Sequence, residues 1–403
     1  MLAAPHRLFF SLGMIALVAC SLWWLAQLWA RTLGAPLAFA VPPSWVHGWA
    51  MANGFLPFFM FGFLFTAGPR WLHVSGPPAR ALLRPALVSL AGLLLALAAA
   101  QASRTLLAIG VLLMASGWTA LLAIFFRLER ASSVDDRVHA RLVSFFFALG
   151  VPAQLAFAVG VLQLSADWVH AAQMASIWLF LAPVYVTVAH RLIPFFSASV
   201  LPRLDAWRPL WLLATLNAIV IAHGLLPLGS VFVSAPAFGA LRLALDLTGA
   251  GLLLLVSWRW GAVQSLRNRL LAMLQLGFLW LGIAMALYAW NGSVALLDMP
   301  QASLGLAPLH ALTMGFFGSM AFAMVTRVTA GHSGRPLLAD TLTWAMFWTL
   351  QAAVLARLLV DAWPAQGSWL TPLAITLWCA ALLPWAARGL SIYLRARADG
   401  RPD

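Results

Sequence analysis

Twelve apolar runs, each long enough to carry an α-helix across a hydrocarbon core roughly 30 Å thick, follow one another along this chain with little between them. They cover about 8–31, 47–68, 81–101, 104–127, 139–163, 170–190, 208–228, 236–258, 269–290, 304–326, 339–362 and 370–393. Lipid offers no partner to an exposed strand edge, so runs of this kind must be helical. Composition leaves no water-soluble alternative. Of 403 residues, 63% are apolar and 9% charged, whereas about a quarter of a soluble domain is charged. The expected fold is all-α: a polytopic membrane bundle of about twelve transmembrane helices, with residues 1–403 forming a single integral membrane domain. No long linker interrupts it, and no internal repeat is evident between the runs.

The charges orient this bundle. All 24 basic residues are arginine. With the N-terminus in the cytoplasm, the cytoplasmic segments hold Arg7, the group Arg70, Arg80 and Arg84, and the group Arg127, Arg130, Arg137 and Arg141. Arg191, Arg203 and Arg208 follow, then Arg259, Arg267 and Arg269, then Arg327 and Arg335, and last Arg388, Arg395, Arg397 and Arg401. A bias this strong predicts both termini cytoplasmic. The net charge of +13 is therefore a record of topology. Dealt out a few per loop, these arginines form no contiguous patch for nucleic acid.

Leu17-Val18-Ala19-Cys20 has the look of a lipoprotein cleavage box. The apolar run continues through Trp29, too far for a signal peptide released at that point, so an uncleaved first helix is expected. Cys20 and Cys379 fall in different spans and supply neither a disulfide framework nor a paired metal motif.

Ionisable groups inside a bilayer are costly and mark candidate sites. Arg242/Asp246 and Arg357/Asp361 each lie four residues apart on one helix face, near the outer ends of their helices. They read as local ion pairs or as part of a transport site. Nine histidines occur. His47 opens the second run and His310 sits one to two turns into the tenth, at similar depth, and each is followed four residues on by a methionine, Met51 and Met314. Imidazole and thioether on one face suit reduced copper or the axial positions of haem iron; equally, methionine is ordinary core filler. His73 and His170 read as surface residues. Toward the cytoplasmic face, Pro5-His6-Arg7, His190-Arg191 and Arg327…His332-Ser-Gly-Arg335 collect imidazole and guanidinium. They form either a second cofactor or anion site or a hydrogen-bonded cap over anionic lipid.

The tenth run also carries the clearest resemblance. His310-Ala-Leu-Thr, with spaced Gly and Met and the closing Val325-Thr-Arg327-Val-Thr-Ala-Gly-His332-Ser-Gly-Arg335-Pro336, resembles the NnrS family, haem- and copper-containing bacterial membrane proteins associated with nitric oxide metabolism. Phe63-Leu-Phe-Thr-Ala-Gly-Pro-Arg-Trp71 and Arg191-Leu-Ile-Pro194-Phe-Phe196 are similar to family segments. Arg7-Leu-Phe-Phe10 and Leu276-Gly-Phe-Leu-Trp280 match more weakly. The resemblance implies haem and copper as cofactors and the bacterial inner (cytoplasmic) membrane as location. The chain departs from the pattern in two places: many members read His-Ala-His-Glu-Met where this chain has His47-Gly-Trp49-Ala50-Met51, and Gln275 stands where a histidine is common.

The expected function is a haem-binding, and on the resemblance copper-binding, inner-membrane protein acting in nitric oxide metabolism or the nitrosative-stress response. Its partners would be the lipid bilayer and nitric oxide or a related small gas. The candidate cofactor residues are His47, His310, His190, His332, Arg191, Arg327 and Arg335, with Met51 and Met314 as further metal donors. A secondary transporter and a membrane subunit of a respiratory complex are the alternatives. The lone glutamate, Glu129, placed in the loop after the fourth run, weakens a proton-consuming reductase.

Overall fold

The computed structural model describes the backbone of residues 2–201, 205–229 and 235–400. Arg203 and Arg401, both counted in the arginine bias, lie outside the described residues. Twelve helices are long and apolar enough to span a membrane: α1 Pro5–Thr32, α2 Pro43–Leu72, α3 Ala79–Ala99, α4 Arg104–Ala131, α5 Val138–Gln163, α6 Ala166–Val200, α7 Leu210–Pro227, α8 Ala237–Arg259, α9 Arg269–Leu296, α10 Pro300–His332, α11 Thr341–Ala362 and α12 Pro364–Tyr393. No strand occurs among the described residues. The protein is a multi-pass membrane protein.

Several helices outrun their apolar stretches. α6 continues through His190, Arg191 and Pro194 to Val200. α4 takes in Glu129, which accepts a hydrogen bond from Ser144 on α5 at 2.6 Å. Hydropathy marks the part of a helix that faces lipid, whereas backbone hydrogen bonding carries the helix on into the polar segment beyond.

The helices cluster into two compact units. The first comprises Met1–Val184, Gly331–Arg335 and Leu383–Asp403. Its core is aromatic: Phe61 stacks on Phe147 with ring centroids 4.1 Å apart, and Phe147 on Phe180 at 4.8 Å. Small residues let the backbones close in. A Cβ on Gly92 of α3 would sit 2.5 Å from the Gly110 carbonyl oxygen of α4, so no larger side chain fits that crossing. The second unit comprises Tyr185–Ala330 and Pro336–Leu382. There the buried amides join helices. Gln351 on α11 accepts from Trp280 at 2.8 Å and donates to Ser319 at 3.0 Å.

Three helices change hydrogen-bonding register part-way. α2 is π-helical over Ala50–Gly54, α6 over Ser176–Leu181 and α10 over Ala311–Gly318. Short π segments inside α-helices are uncommon and concentrate at functional sites.

Candidate functional site

Two of the three π segments begin directly beside the histidine–methionine pairs. His47 ends a short α-helical stretch, Pro43–Trp49, and Met51 lies in the π turn that follows. His310 closes Ala307–His310, and Met314 lies in the next π turn. All four side chains are half-buried. The His47 ring stacks on Trp24 of α1, centroids 3.9 Å apart and planes within 14°. His310 Nδ1 donates to the Leu306 carbonyl at 3.0 Å, which places the ring's lone pair on Nε2. A backbone carbonyl fixing one ring nitrogen so that the other can ligate is the usual second layer around a metal-bound histidine.

The structure also exposes a repeat that the sequence had seemed to lack. Aligning the sequences of α2 and α10 on their histidine–methionine pairs matches His47 with His310, Met51 with Met314, Thr66 with Thr329, Ala67 with Ala330 and Gly68 with Gly331, every pair 263 residues apart. The signal, His-x3-Met-x14-Thr-Ala-Gly, was present but thinly spread through apolar residues that any membrane helix shares. A third His-x3-Met, His170 to Met174, precedes the π segment of α6. His170 is itself exposed, as is His73.

The two departures from the resembling pattern have structural occupants. Trp49 is buried, donates Nε1 to Gln154 Oε1 at 2.5 Å and stacks on Phe157. An indole N–H is a donor only and cannot ligate. Gln275 is buried and donates to Ser197 Oγ at 3.0 Å and the Trp260 carbonyl at 2.6 Å. Both positions now hold helices together through hydrogen bonds.

The residues expected at the cytoplasmic face divide between the units. His190, Arg191 and Arg327 belong to the second. His190 is fully buried with Nε2 on the Pro209 carbonyl at 3.1 Å, and the Arg327 guanidinium lies 4.0 Å over the Phe196 ring, a cation–π contact. Arg191 is half-buried on α6. His332 and Arg335 belong to the first unit, and there His332 meets His6, which the sequence placed at the same face without marking it as a ligand. Its ring centroid is 4.7 Å from that of His6, with the planes tilted 47°.

His6 and His332 line a cavity of about 330 Å³, together with Arg70 and Arg397 and an apolar wall that includes Phe65 and Pro69. His6 is 4% exposed, and its Nδ1 has no hydrogen-bond partner among the described residues. Trp24, the ring that stacks on His47, lies eighteen residues further along α1, or about 27 Å of helix. His47 and the His6 cavity are therefore at opposite ends of α1.

In the second unit the buried polar chemistry is of another kind. His223 on α7 and Asp246 on α8 are 2% and 0% exposed and meet Nδ1 to Oδ1 at 2.6 Å. Tyr288 lies against the His223 ring, centroids 4.4 Å apart. Arg242 Nε is 3.9 Å from Asp246, so the expected local pair is the weaker contact and the stronger one joins two helices. Spacing along one helix could not reveal a partner on its neighbour. Arg357 and Asp361 do form the local pair, at 2.8 Å.

No group of three or more His, Cys, Asp or Glu side chains converges among the described residues. A metal held wholly by such ligands does not fit this donor set. A haem brings four equatorial nitrogens of its own and asks the protein for one or two axial ligands, which single histidines such as His310 and His47 can provide. Copper would have to rely on the imidazole–thioether pairs. Compared with known families, residues 1–397 match the family described as NnrS protein. Comparison with curated proteins gives no match.

Proposed function

Because the chain belongs to the NnrS family over nearly its whole length, we propose that it is a haem-binding protein of the bacterial inner membrane, acting in nitric oxide metabolism or the nitrosative-stress response. Family membership supports a nitric-oxide-associated membrane protein. The haem assignment rests on the chain's own histidines. The observation that carries it is His310, whose Nδ1 is held by the Leu306 carbonyl at the start of a π segment. In this reading His310 Nε2 would hold the metal, with Met314 beside it as a further donor for copper. His47 and Met51 form the equivalent pair of the repeat. Copper is the second candidate metal at either pair. When bound, haem iron would supply a site for a neutral diatomic gas, which partitions readily into lipid. The chain's own task is to orient the imidazole, through the Leu306 carbonyl at His310 and the Trp24 ring at His47, and to exclude water.

The test is an absorption spectrum of the purified protein, followed by His310→Ala. A Soret band that falls sharply in the variant, with accumulation in the membrane unchanged, is the expected result. Full haem retention with an unshifted spectrum would remove His310 from the iron. Secondary transport gains one point from the repeat and the interrupted helices, since transporters are commonly built from internal repeats with broken helices at the substrate site. A purified protein with no Soret band would favour that reading.

A further inference from the structure

We propose that the cavity between the start of α1 and the end of α2 is a binding site for a compact oxyanion, the phosphate group being the type, gripped by His6, Arg70 and Arg397. This site is separate from the haem reading, which rests on His310 and His47.

Charge is the first argument. The charged side chains near enough to act on His6 are all cationic: Arg7, Arg70 and Arg397. Among the described residues no carboxylate lines the cavity. Asp399 pairs with Arg397, with contacts at 2.7 and 2.9 Å, and Arg7 is occupied on the Arg395 carbonyl at 2.7 Å. A metal cation would meet this field of guanidiniums at a cost. An anion would relieve it.

The second argument is an unmet polar group. His6 is buried on the cavity wall with Nδ1 unpartnered, and a polar atom hidden from water without a partner is destabilising. Such groups in folded proteins commonly mark the place of an absent ligand or water. Ala4, Pro5 and His6 bring the N-terminus of α1 to the same wall. This 28-residue helix has no side-chain cap and no acidic residue in its first turn, so its own first turn brings no negative group to the positive dipole end. The cavity is far larger than a halide needs, and guanidinium forks match the paired oxygens of phosphate or carboxylate.

The architecture also explains why the far end of the chain returns here. Arg397 donates to the His332 carbonyl at 3.1 Å, and the Ala398 N–H donates to the Ser333 carbonyl at 2.9 Å. These two bonds bring Arg397 to the cavity and hold it against the loop that carries His332.

The oxyanion could be free in solution or borne on a lipid headgroup, and calorimetry separates the two. Full-length protein in maltoside micelles is titrated with inorganic phosphate, and separately with phosphatidylglycerol in mixed micelles. We expect saturable binding of phosphate, about tenfold weaker in Arg70→Gln, the effect of losing one charge-assisted hydrogen bond. His6→Gln, which keeps a donor, should bind better than His6→Ala. Arg70 is exposed, so its variant should fold even where a change at His6 does not. Binding of phosphatidylglycerol alone, equally weakened by Arg70→Gln, would place the same oxyanion on a lipid. If neither titrant binds saturably, or if Arg70→Gln binds as tightly as the unaltered protein, the proposal is overturned.

Discussion

The His6–His332 pair of the first unit and the His223–Asp246 pair of the second put buried imidazole into opposite settings. His223 faces a carboxylate at 2.6 Å, with a tyrosine ring packed beside it. His6 faces another imidazole, with guanidiniums beyond it and a cavity at its side. The first arrangement supplies its own opposite charge, with Arg242 3.9 Å from Asp246 Oδ2, although that oxygen has no hydrogen-bond partner among the described residues. The second lacks a negative partner and has room for one. Burial alone does not separate them, since His6 and His223 are 4% and 2% exposed. What distinguishes a structural histidine from a binding one here is whether the protein itself supplies the complementary charge.

That contrast breaks first at Asp246. Replacing it by Ala leaves His223 and its helix without the partner that joins α7 to α8. Removing one partner of a buried hydrogen bond leaves the other group unmet, at a cost of about 1–3 kcal/mol and more where a charge is involved. We expect Asp246→Ala to show the largest fall in thermal midpoint of any variant considered, followed by tryptophan fluorescence in detergent. A change of less than about 1 kcal/mol would place the pair among ordinary exposed contacts and dissolve the comparison.

His6 should behave in the reverse way. His6→Leu removes an unpartnered imidazole from cationic surroundings and fills its place with apolar volume, so stability without ligand should hold within about 1 kcal/mol or rise. The ligand response is the sharper readout. A ligand present at 100 times its dissociation constant stabilises the folded state by about 2.7 kcal/mol. Phosphate should therefore raise the thermal midpoint of the unaltered protein and leave that of His6→Leu where it was. An equal rise in both would locate the anion elsewhere.

The difference between the two pairs also marks the limit of what the sequence could reveal. The twelve helices were legible because hydropathy over 20 residues is a strong, local signal. His47, Met51, His310 and Met314 were legible as pairs because one helical turn is a fixed spacing. His6 and His332 were legible as members of one cytoplasmic-face group but not as neighbours, because their meeting depends on the start of α1 and the loop after α10 arriving at one place, which no local pattern encodes. The same holds for His223, whose partner is on another helix. Trp49 and Gln275 read only as missing ligands until their bonds to Gln154 and Ser197 gave each a structural task. Arg70 and Arg397 were visible only as topology, since an arginine that orients a helix and one that lines a cavity look alike in sequence.

The smallest effect belongs to Arg357 and Asp361, which share with Arg242 and Asp246 the same four-residue spacing. Spacing predicts equal worth; surroundings predict otherwise. Arg357 and Asp361 are 17% and 19% exposed and meet at 2.8 Å near the end of α11, where both can reach solvent or the lipid headgroups if the bond is lost. An i,i+4 pair so placed is worth about 0.3–0.5 kcal/mol. Arg357→Gln should therefore shift the thermal midpoint barely beyond error, and added salt should shrink even that. Asp246 has no such escape, because it is wholly buried and its strongest partner is on another helix. If Arg357→Gln destabilises as much as Asp246→Ala, the local pair is carrying a load that its exposure does not predict, and partner and burial would no longer be the variables that set these histidine and arginine sites apart.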